Sequence, residues 1–259
     1  MDGKVAIITG GGTGIGAATA RRLAANRWRI VVNYRVSRAE AEETANVCRA
    51  AGGDAAAVQA DVVDDADCRR LAAAALERWG RIDALVNCAG LTRFVDAADL
   101  EAVTAEDFQS MVAVNVVAPF QMARAVAPAM KRAGRGAVVH VSSMGAVTGQ
   151  ASSPAYSASK GALNTLTLTL ARTLAPEIRV NCICPGLVDT RWNRAQLGDA
   201  RYEAVMARYN ETTPLRHTLT ADDIASAVVW LIEGAAWMTG EILMVDSGQH
   251  LGMAPLKAR

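Results

Sequence analysis

The sequence predicts one α/β domain, a doubly wound parallel sheet of about seven strands with helices on both faces. Three observations predict it. Short apolar runs alternate with segments of helix length along the whole chain, and no linker separates them. The first apolar run passes through a glycine-rich turn directly into a helical segment. At 259 residues, 51% of them hydrophobic, the chain is long enough to bury a full core.

Seven segments are predicted as strands because each is a short, mainly apolar run of the kind buried in parallel sheets. They lie at residues 4–9, 29–33, 54–60, 82–87, 136–141, 178–184 and 241–245. The carboxyl ends of parallel strands meet at one edge of an open sheet, where ligands bind. Residues that follow these strands are therefore expected to come together in one crevice.

Helices are predicted between the strands, at residues 17–24, 37–51, 64–79, 99–133, 155–174 and 221–233. Gly52 and Gly53 end the second helix, and acidic residues at the start of the third suit the helix dipole. Pro119 and Pro128 are expected to bend the long fourth segment. Residues 189–209 are predicted as mobile helix and loop.

The glycine-rich turn after the first strand spans residues 10–16, Gly-Gly-Gly-Thr-Gly-Ile-Gly. A strand, a glycine turn and a helix in this order predict a dinucleotide site, because backbone N–H groups at the helix start can face a pyrophosphate. A P-loop is excluded, since Ala17 and Ala18 follow Gly16 where Lys-Ser/Thr is needed.

Tyr156 and Lys160 are the strongest candidates for chemistry. They are four residues apart on a predicted helix and share one face, with Ser143 thirteen residues before the tyrosine. A nearby ammonium favours phenolate, so the pair is expected to lower a tyrosine pKa that starts near ~10. Such a tyrosine can act as a general acid or base near neutral pH.

Together these residues closely resemble the short-chain dehydrogenase/reductase family, over roughly residues 4–248. The family's glycine pattern is matched by Thr9, Gly10, Gly14 and Gly16. Its Asn-Asn-Ala-Gly segment is similar to residues 87–90, in which cysteine takes the second place. The remaining motif positions are matched by Asn115, Ser143, Tyr156, Lys160, Pro185, Gly186 and Thr190.

The resemblance implies a Rossmann-type sheet of order 3-2-1-4-5-6-7, and it implies the site residues. The catalytic residues would be Asn115, Ser143, Tyr156 and Lys160. The residues that hold the cofactor would be Gly10, Thr13, Gly14, Ile15, Gly16, Tyr34, Arg35, Asp61, Val62, Asn87, Ala89, Gly90, Tyr156, Lys160, Pro185, Gly186, Val188 and Thr190. Ser142 competes with Ser143, and the thirteen-residue spacing of the family favours Ser143. Asn115 either supports a water in the proton relay or is a buried asparagine that satisfies backbone groups.

The end of the second strand favours NADP(H) over NAD(H). Relatives that prefer NAD carry an acidic residue there, and Tyr34 stands in its place. Arg35 can pair with a 2′-phosphate, and Arg38 lies one turn further on. The alternative is that Arg35 is an ordinary solvated arginine. Asp61 is expected at the adenine amino group, or as a plain helix cap.

The substrate is expected under a lid at residues 187–214, which carries several apolar side chains. Few fixed charges favour an uncharged or mixed ketone or alcohol. Either Arg93 or Arg191 is an alternative partner for an anionic substituent, although both are also ordinary surface candidates. The predicted activity is hydride transfer between NADP(H) and a carbonyl or secondary alcohol. The alternatives are a noncatalytic dinucleotide-binding sensor and an epimerase or dehydratase on the same scaffold.

Several other kinds of protein are not favoured. A net charge of +1 with dispersed basic residues indicates neither nucleic acid nor an anionic membrane surface. Five cysteines without Cys-x-x-Cys and three scattered histidines predict no metal site and no disulfide framework. The early first strand leaves no room for a signal peptide, and no apolar run approaches a membrane span. We therefore expect a cytoplasmic protein and, from small residues on two helices, a homotetramer with a dimer as fallback.

Overall fold

The computed structural model describes residues 3–96 and 98–252, and a parallel sheet of seven strands forms its centre. The spatial order is β3-β2-β1-β4-β5-β6-β9, so the doubly wound order predicted from the sequence is confirmed. Its strands are β1 Val5–Thr9, β2 Arg29–Tyr34, β3 Asp54–Gln59, β4 Ala84–Asn87, β5 Gly136–Val141, β6 Ile178–Pro185 and β9 Ile242–Val245. Strands β1, β4 and β5 are almost wholly buried, which explains their unbroken apolar runs.

Helices cover both faces of the sheet. They are α1 Gly14–Ala25, α2 Arg38–Ala50, α3 Asp65–Trp79, α4 Ala105–Val112, α5 Ala118–Arg132, α6 Gly145–Thr148, α7 Pro154–Leu174, α8 Arg191–Leu197, α9 Asp199–Thr212 and α10 Ala221–Glu233. One apolar cluster joins α1, α2 and α10 to one face, with Leu23 and Val228 at its centre. The other joins α3, α5 and α7 to the opposite face, with Leu71 and Met122 fully enclosed.

In the segment predicted as mostly helical at residues 99–133, regular helix begins only at Ala105. Thr104 caps α4 by accepting the Asp107 backbone N–H while the Asp107 carboxylate accepts from Thr104. A π-helical segment, Ala113–Val117, then joins α4 to α5. Such single-turn insertions change which face of a helix a side chain occupies and are frequent at functional sites.

The combined helix of residues 105–132 is long and apolar enough, by length and composition, to cross a membrane. The sequence pattern alone predicts no apolar run of that kind. In the structure the α5 part packs against α3, β4 and β5, with Met122, Val126 and Met130 fully enclosed. This arrangement is that of a core helix in an α/β fold.

Two short strands form a separate parallel pair that was not predicted. They are β7 Val188–Asp189 and β8 Leu219–Thr220. Between them, the segment expected as mobile helix and loop forms α8 and α9. The pair ties both ends of this helical segment to the sheet edge at which the strands end.

Candidate active site

A cleft of about 1410 Å³ opens at the carboxyl ends of the strands. The glycine turn, the ends of β2 to β6 and the α8–α9 segment form its walls. Sixteen of the predicted site residues line it, namely Gly10, Thr13, Gly14, Ile15, Arg35, Asp61, Val62, Ala89, Gly90, Ser143, Tyr156, Lys160, Pro185, Gly186, Val188 and Thr190. Residues far apart in sequence therefore meet at one edge.

Four predicted site residues do not line the cleft but lie behind it. Gly16 is enclosed in the first turn of α1, and Tyr34 packs its side chain in the core. Asn87 donates its amide to the Pro119 carbonyl at 3.3 Å and so joins β4 to α5. Asn115 is fully buried in the π-helical segment.

The glycine turn is shaped as an anion cradle. Gly10 and Gly14 have φ values of +62° and +52°, which side chains rarely adopt. A Cβ atom on Gly16 would lie 2.4 Å from the Gly10 carbonyl oxygen, so only glycine permits this approach. The start of α1 carries no acidic residue in its first turn. Free backbone N–H groups and the helix dipole there suit a pyrophosphate.

A second feature that fits a cofactor lies beside the glycine turn, where a Cβ atom on Gly14 would be 3.8 Å from Thr190 Cγ2. The Thr190 hydroxyl is buried, lines the cleft and has no hydrogen-bond partner in the described chain. Because an unpaired buried hydroxyl costs free energy, a polar ligand group beside it would be stabilised. Together with the cradle, Thr190 shows that the residues present fit a dinucleotide.

Thr9, which was matched only as part of a motif, has a clear structural role. Its hydroxyl oxygen accepts backbone N–H groups from Cys88 at 3.0 Å and Ala89 at 3.1 Å. These contacts fix the turn after β4 against the glycine turn after β1. The two walls of the cleft are thereby held together.

Helix α7 positions Tyr156 and Lys160. The helix begins at Pro154, whose fixed φ suits a first turn, and Ser153 caps it by accepting the Tyr156 backbone N–H at 3.2 Å. Lys160 follows one turn later and is 4% exposed. Its ammonium donates to the Val141 carbonyl at 2.8 Å, at the end of β5. The lysine is therefore held between a helix and a strand.

The pKa of Tyr156 differs from the sequence expectation. Burial raises it to about 12, and a hydrogen bond with the Ser143 side chain offsets only part of that effect. The same burial lowers the pKa of Lys160 to about 8. The net shift is therefore upward and not downward as the sequence predicts, because desolvation of the phenol is its largest cause.

The two candidate serines make different contacts. Ser142 is buried and donates to the Lys160 backbone carbonyl at 3.2 Å. The side chain of Ser143 offsets part of the rise in the Tyr156 pKa, and its Oγ accepts the Gly145 backbone N–H at 3.1 Å. The geometry thus brings Ser143, and not Ser142, to the tyrosine hydroxyl.

Asn115 clamps the loop that follows β4. Its Oδ1 accepts the Leu91 backbone N–H, and its Nδ2 donates to the Leu91 carbonyl and to Ser159 Oγ, each at 2.9 Å. All side-chain contacts therefore satisfy backbone and helix groups, which was one of the two alternatives. A Cβ atom on Gly90 would lie 3.5 Å from Asn115 Oδ1 and 3.7 Å from Lys160 Nζ.

The corner of the cleft after β2 carries charges of both signs. Arg35 is largely exposed and lies 3.6 Å from the Asp61 carboxylate. Glu40 also lines this corner and pairs with Arg191 of α8 at 3.4 Å. Arg38 does not line the cleft. Arg35 is therefore the cation that a group on the adenosine ribose would meet.

The substrate side of the cleft has apolar and polar walls. Phe94, Met144, Trp192 and Val205 line it, together with Gln150 from the short loop after α6. The apolar lining expected from the sequence is present. Val147 of α6 is exposed and does not line the cleft.

Two arginines proposed as anion partners have carboxylate partners of their own. Arg93 pairs with Asp107 and does not line the cleft, whereas Arg191 lines it but pairs with Glu40. Sequence reasoning missed Arg201 and Gln249, which do line the cleft. Neither belongs to a motif, and only the path of the chain brings them there.

A buried polar layer lies beneath the cleft, between β5, β6 and α7. His140 is fully buried and contacts the Thr167 hydroxyl at 2.9 Å, while Cys182 donates its thiol to Asn164 Oδ1 at 3.4 Å.

Burial raises the pKa of Cys88, beside the glycine turn, to about 11. Cys88 is thus a protonated packing residue. Within residues 3–96 and 98–252, no group of three potential metal ligands occurs.

Comparison with known proteins gives consistent results over the whole chain. The family model described as enoyl-(acyl carrier protein) reductase matches residues 10–250. A granaticin polyketide synthase ketoacyl reductase of Streptomyces violaceoruber is 41% identical, covering 96% of this chain and 97% of its own. Glucose 1-dehydrogenase 2 of Bacillus subtilis is 35% identical, covering 97% of this chain and 96% of its own.

Solved structures agree with these relatives. A short-chain dehydrogenase/reductase from Burkholderia xenovorans superposes with a TM-score of 0.91 at 38% identity, covering 97% of this chain and 100% of its own. A 7α-hydroxysteroid dehydrogenase, solved with NADH and 7-oxo glycochenodeoxycholic acid, gives a TM-score of 0.86 at 31% identity. The superposition covers 99% of this chain and 96% of that one. The cleft described above thus occurs in a fold shared with dehydrogenases.

Proposed function

The chain belongs to the short-chain dehydrogenase/reductase family of NAD(P)-dependent oxidoreductases, and we propose that it transfers a hydride between NADP(H) and a carbonyl or secondary alcohol substrate. One observation carries this proposal. Tyr156 and Ser143, whose interaction offsets part of the rise in the tyrosine pKa, line the same cleft as the glycine turn and Lys160. A proton donor, a second hydrogen-bond donor and a dinucleotide cradle are what such a reaction needs.

Each residue has a distinct role in the proposed reaction. When bound, the nicotinamide cofactor supplies or accepts the hydride. Ser143 donates a hydrogen bond to the substrate oxygen, where negative charge develops. Tyr156 gives that oxygen its proton in reduction and removes it in oxidation. A pKa raised to about 12 keeps the phenol protonated at neutral pH, which suits the donor role.

Lys160 and Asn115 support this pair. At a pKa of about 8 the lysine is mainly protonated at neutral pH, so it presents a cation beneath the tyrosine and hydrogen-bond donors to the cofactor ribose. Asn115 holds the Leu91 backbone, and with it the turn beside Gly90 and Lys160. It acts here as a positioning residue for the cofactor wall.

The preference for NADP(H) rests on Arg35. Arg35 lines the cleft at the end of β2. Position 34 carries a tyrosine instead of an acidic residue, and the Tyr34 side chain packs in the core. A 2′-phosphate here would pair with Arg35, which is weakly held by Asp61 at 3.6 Å. Asp61 and Val62 line the neighbouring wall, where the adenine would lie.

Other predictions extend this function. Residues 187–214, with α8 and α9, would act as a substrate lid in one domain spanning residues 1–259. We also propose that the protein is cytoplasmic and forms a homotetramer. The alternative of a noncatalytic sensor is not favoured, because the relatives are named as dehydrogenases and reductases and Ser143, Tyr156 and Lys160 are all in place.

A panel assay tests the proposal. Purified protein is mixed with a panel of aliphatic, aromatic, sugar-like and steroid ketones, each with NADPH and with NADH, and oxidation of the reduced cofactor is followed by its absorbance. We expect turnover with at least one ketone, and faster turnover with NADPH. Binding of cofactor without turnover of any ketone, or of any alcohol in the reverse direction, would reject the catalytic proposal and favour the sensor.

A further inference from the structure

Arg201, in the first turn of α9, lines the cleft but has no role in the reaction proposed above. It lines the substrate side, although no sequence motif includes it. Within the described part of the chain, no ion pair or hydrogen bond involves its guanidinium. An arginine that faces a cleft without a carboxylate partner is available to a ligand.

The position of Arg201 is set by packing. Its neighbour Tyr202 is 1% exposed and donates its hydroxyl to the Asp189 carboxylate beside β7, which fixes α9 to the sheet edge. Arg201 and Val205 are four residues apart, so they share the face of α9 that lines the cleft. The guanidinium is therefore carried by an anchored helix.

The nearby charges leave Arg201 unneutralised. Asp199 and Glu203, the acidic residues closest to it on α9, both pair with Arg194, at 3.0 and 2.7 Å. Arg194 also stacks on the Tyr202 ring at 4.2 Å, so this ion-pair group is fixed on the other side of the helix. Both carboxylates therefore already have an arginine partner.

The opposite wall offers one carboxylate, Asp96. It caps its own loop by accepting the Ala98 backbone N–H at 2.9 Å, and it makes no ion pair with Arg201. Arg191 lines the cleft as well, but it forms an ion pair with Glu40. Arg93 does not line the cleft. Asp189 also lines the cleft, and its carboxylate accepts from the Tyr202 hydroxyl. Among the described arginines that line the substrate side, Arg201 is therefore the one that makes no ion pair.

We propose that Arg201 binds an anionic group of the substrate, so that the preferred substrates are ketones or alcohols carrying a carboxylate or a comparable anion. The inference rests on the proposed function, because it names the substrate class of the same cleft. Apolar residues that line the same cleft, among them Met144 and Trp192, would cover the carbon skeleton that joins the carbonyl to the anion. Recognition at both ends would orient the carbonyl towards Tyr156.

Matched substrates test this inference. A homologous series of keto acids of increasing chain length is compared with the primary amides of the same skeletons, which keep the shape but lose the charge. We expect kcat/KM to favour the acid by roughly tenfold at the best chain length, the scale of one charge-assisted contact. Added salt should reduce that preference, because Arg201 is exposed.

Variants on the same helix assign the preference to one residue. Arg201→Gln should reduce the acid-to-amide ratio to near one, chiefly by lowering kcat/KM for the acid. Arg201→Lys should retain part of the ratio, since the charge remains but the planar fork is lost. The control is Arg208→Gln, which removes an exposed arginine of α9 that does not line the cleft, and it should keep the wild-type ratio.

The outcomes separate this inference from the proposed function. Equal rates for acids and amides in the wild type, a ratio unchanged by Arg201→Gln, or a preference for ammonium-bearing ketones at Asp96 would overturn it. If no ketone is reduced at all, the proposed function fails. Calorimetric binding of the keto acids to the NADPH-loaded protein then still tests Arg201. Binding that is equal for wild type and Arg201→Gln, or absent from both, would overturn the inference.

Discussion

The ammonium nitrogen of Lys160 lies 5.7 Å from the centre of the Tyr156 ring and donates to the Val141 carbonyl at 2.8 Å. The lysine is thus fixed by β5 as well as by its own helix, beneath the phenol whose raised pKa the Ser143 side chain partly offsets. Burial pushes the pKa values of the two groups in opposite directions, with the tyrosine raised and the lysine lowered. Both shifts indicate a site in which charge is costly unless a ligand compensates it.

Tyr156→Phe should abolish most turnover and leave cofactor binding intact. The substitution removes the proton donor but keeps the ring, so kcat should fall by roughly 10²-fold or more, the scale of lost general acid catalysis. Steady-state rates and NADPH fluorescence titration measure the two effects separately. Retained kcat would show that Tyr156 is not the proton donor.

Lys160→Ala should weaken NADPH binding and lower kcat together, because one side chain serves the cofactor ribose and the tyrosine. In alcohol oxidation, loss of the cation should move the acid limb of the pH–rate profile to higher pH, since the phenol then loses its proton less readily. The control is Lys131→Ala, on the exposed face of α5, which should match the wild type. A change in stability alone, with intact kinetics, would make Lys160 a structural residue.

Much of this arrangement could be predicted from the sequence, because local pattern encodes it. The strand runs, the glycine turn and the four-residue spacing of Tyr156 and Lys160 depend only on neighbouring residues. The tyrosine pKa could not be predicted, because its main cause is burial created by packing of distant segments. The partners of Arg93 and Arg191 lie 14 and 151 residues away, so no local pattern shows that both arginines are already paired.

Arg35→Ala should weaken NADPH far more than NADH, because only NADPH carries the 2′-phosphate. Loss of one partly exposed charge-assisted contact should cost about one to two decades in affinity. Arg21→Ala on the exposed face of α1 is the control for a general change in surface charge. Equal weakening of both cofactors, or none, would remove the basis for an NADP(H) preference.

His140 should make the protein sensitive to acid. Burial, with a contribution from the Lys160 charge, lowers its pKa from 6.5 to about 3. Between those values the unfolded chain binds a proton that the folded protein does not, so the free energy of unfolding falls as the pH drops below 6.5. From pH 7 to pH 5 this group should contribute a loss of about 2 kcal/mol.

Urea unfolding of His140→Leu at pH 7 and pH 5 measures that contribution. The variant removes the buried titrating group and keeps an apolar side chain of similar size, so its stability should fall less on acidification. Thr167 keeps a partner, because its hydroxyl also donates to the Leu163 carbonyl at 2.9 Å. Identical losses in wild type and His140→Leu would contradict the assignment.

The long helix of residues 105–132 should form a subunit interface. Phe108, Val112, Val117 and Phe120 are exposed along it, and Leu168 is exposed on α7. Apolar side chains aligned on neighbouring helices favour burial against a second copy, and closed two-fold assemblies are the usual outcome. Light scattering at micromolar concentration should give a mass near four times 27.2 kDa. Phe120→Asp should lower that mass, whereas Leu215→Asp, at an exposed leucine outside these helices, should not. A stable, active species at the monomer mass would contradict the tetramer and leave the proposed chemistry unaffected.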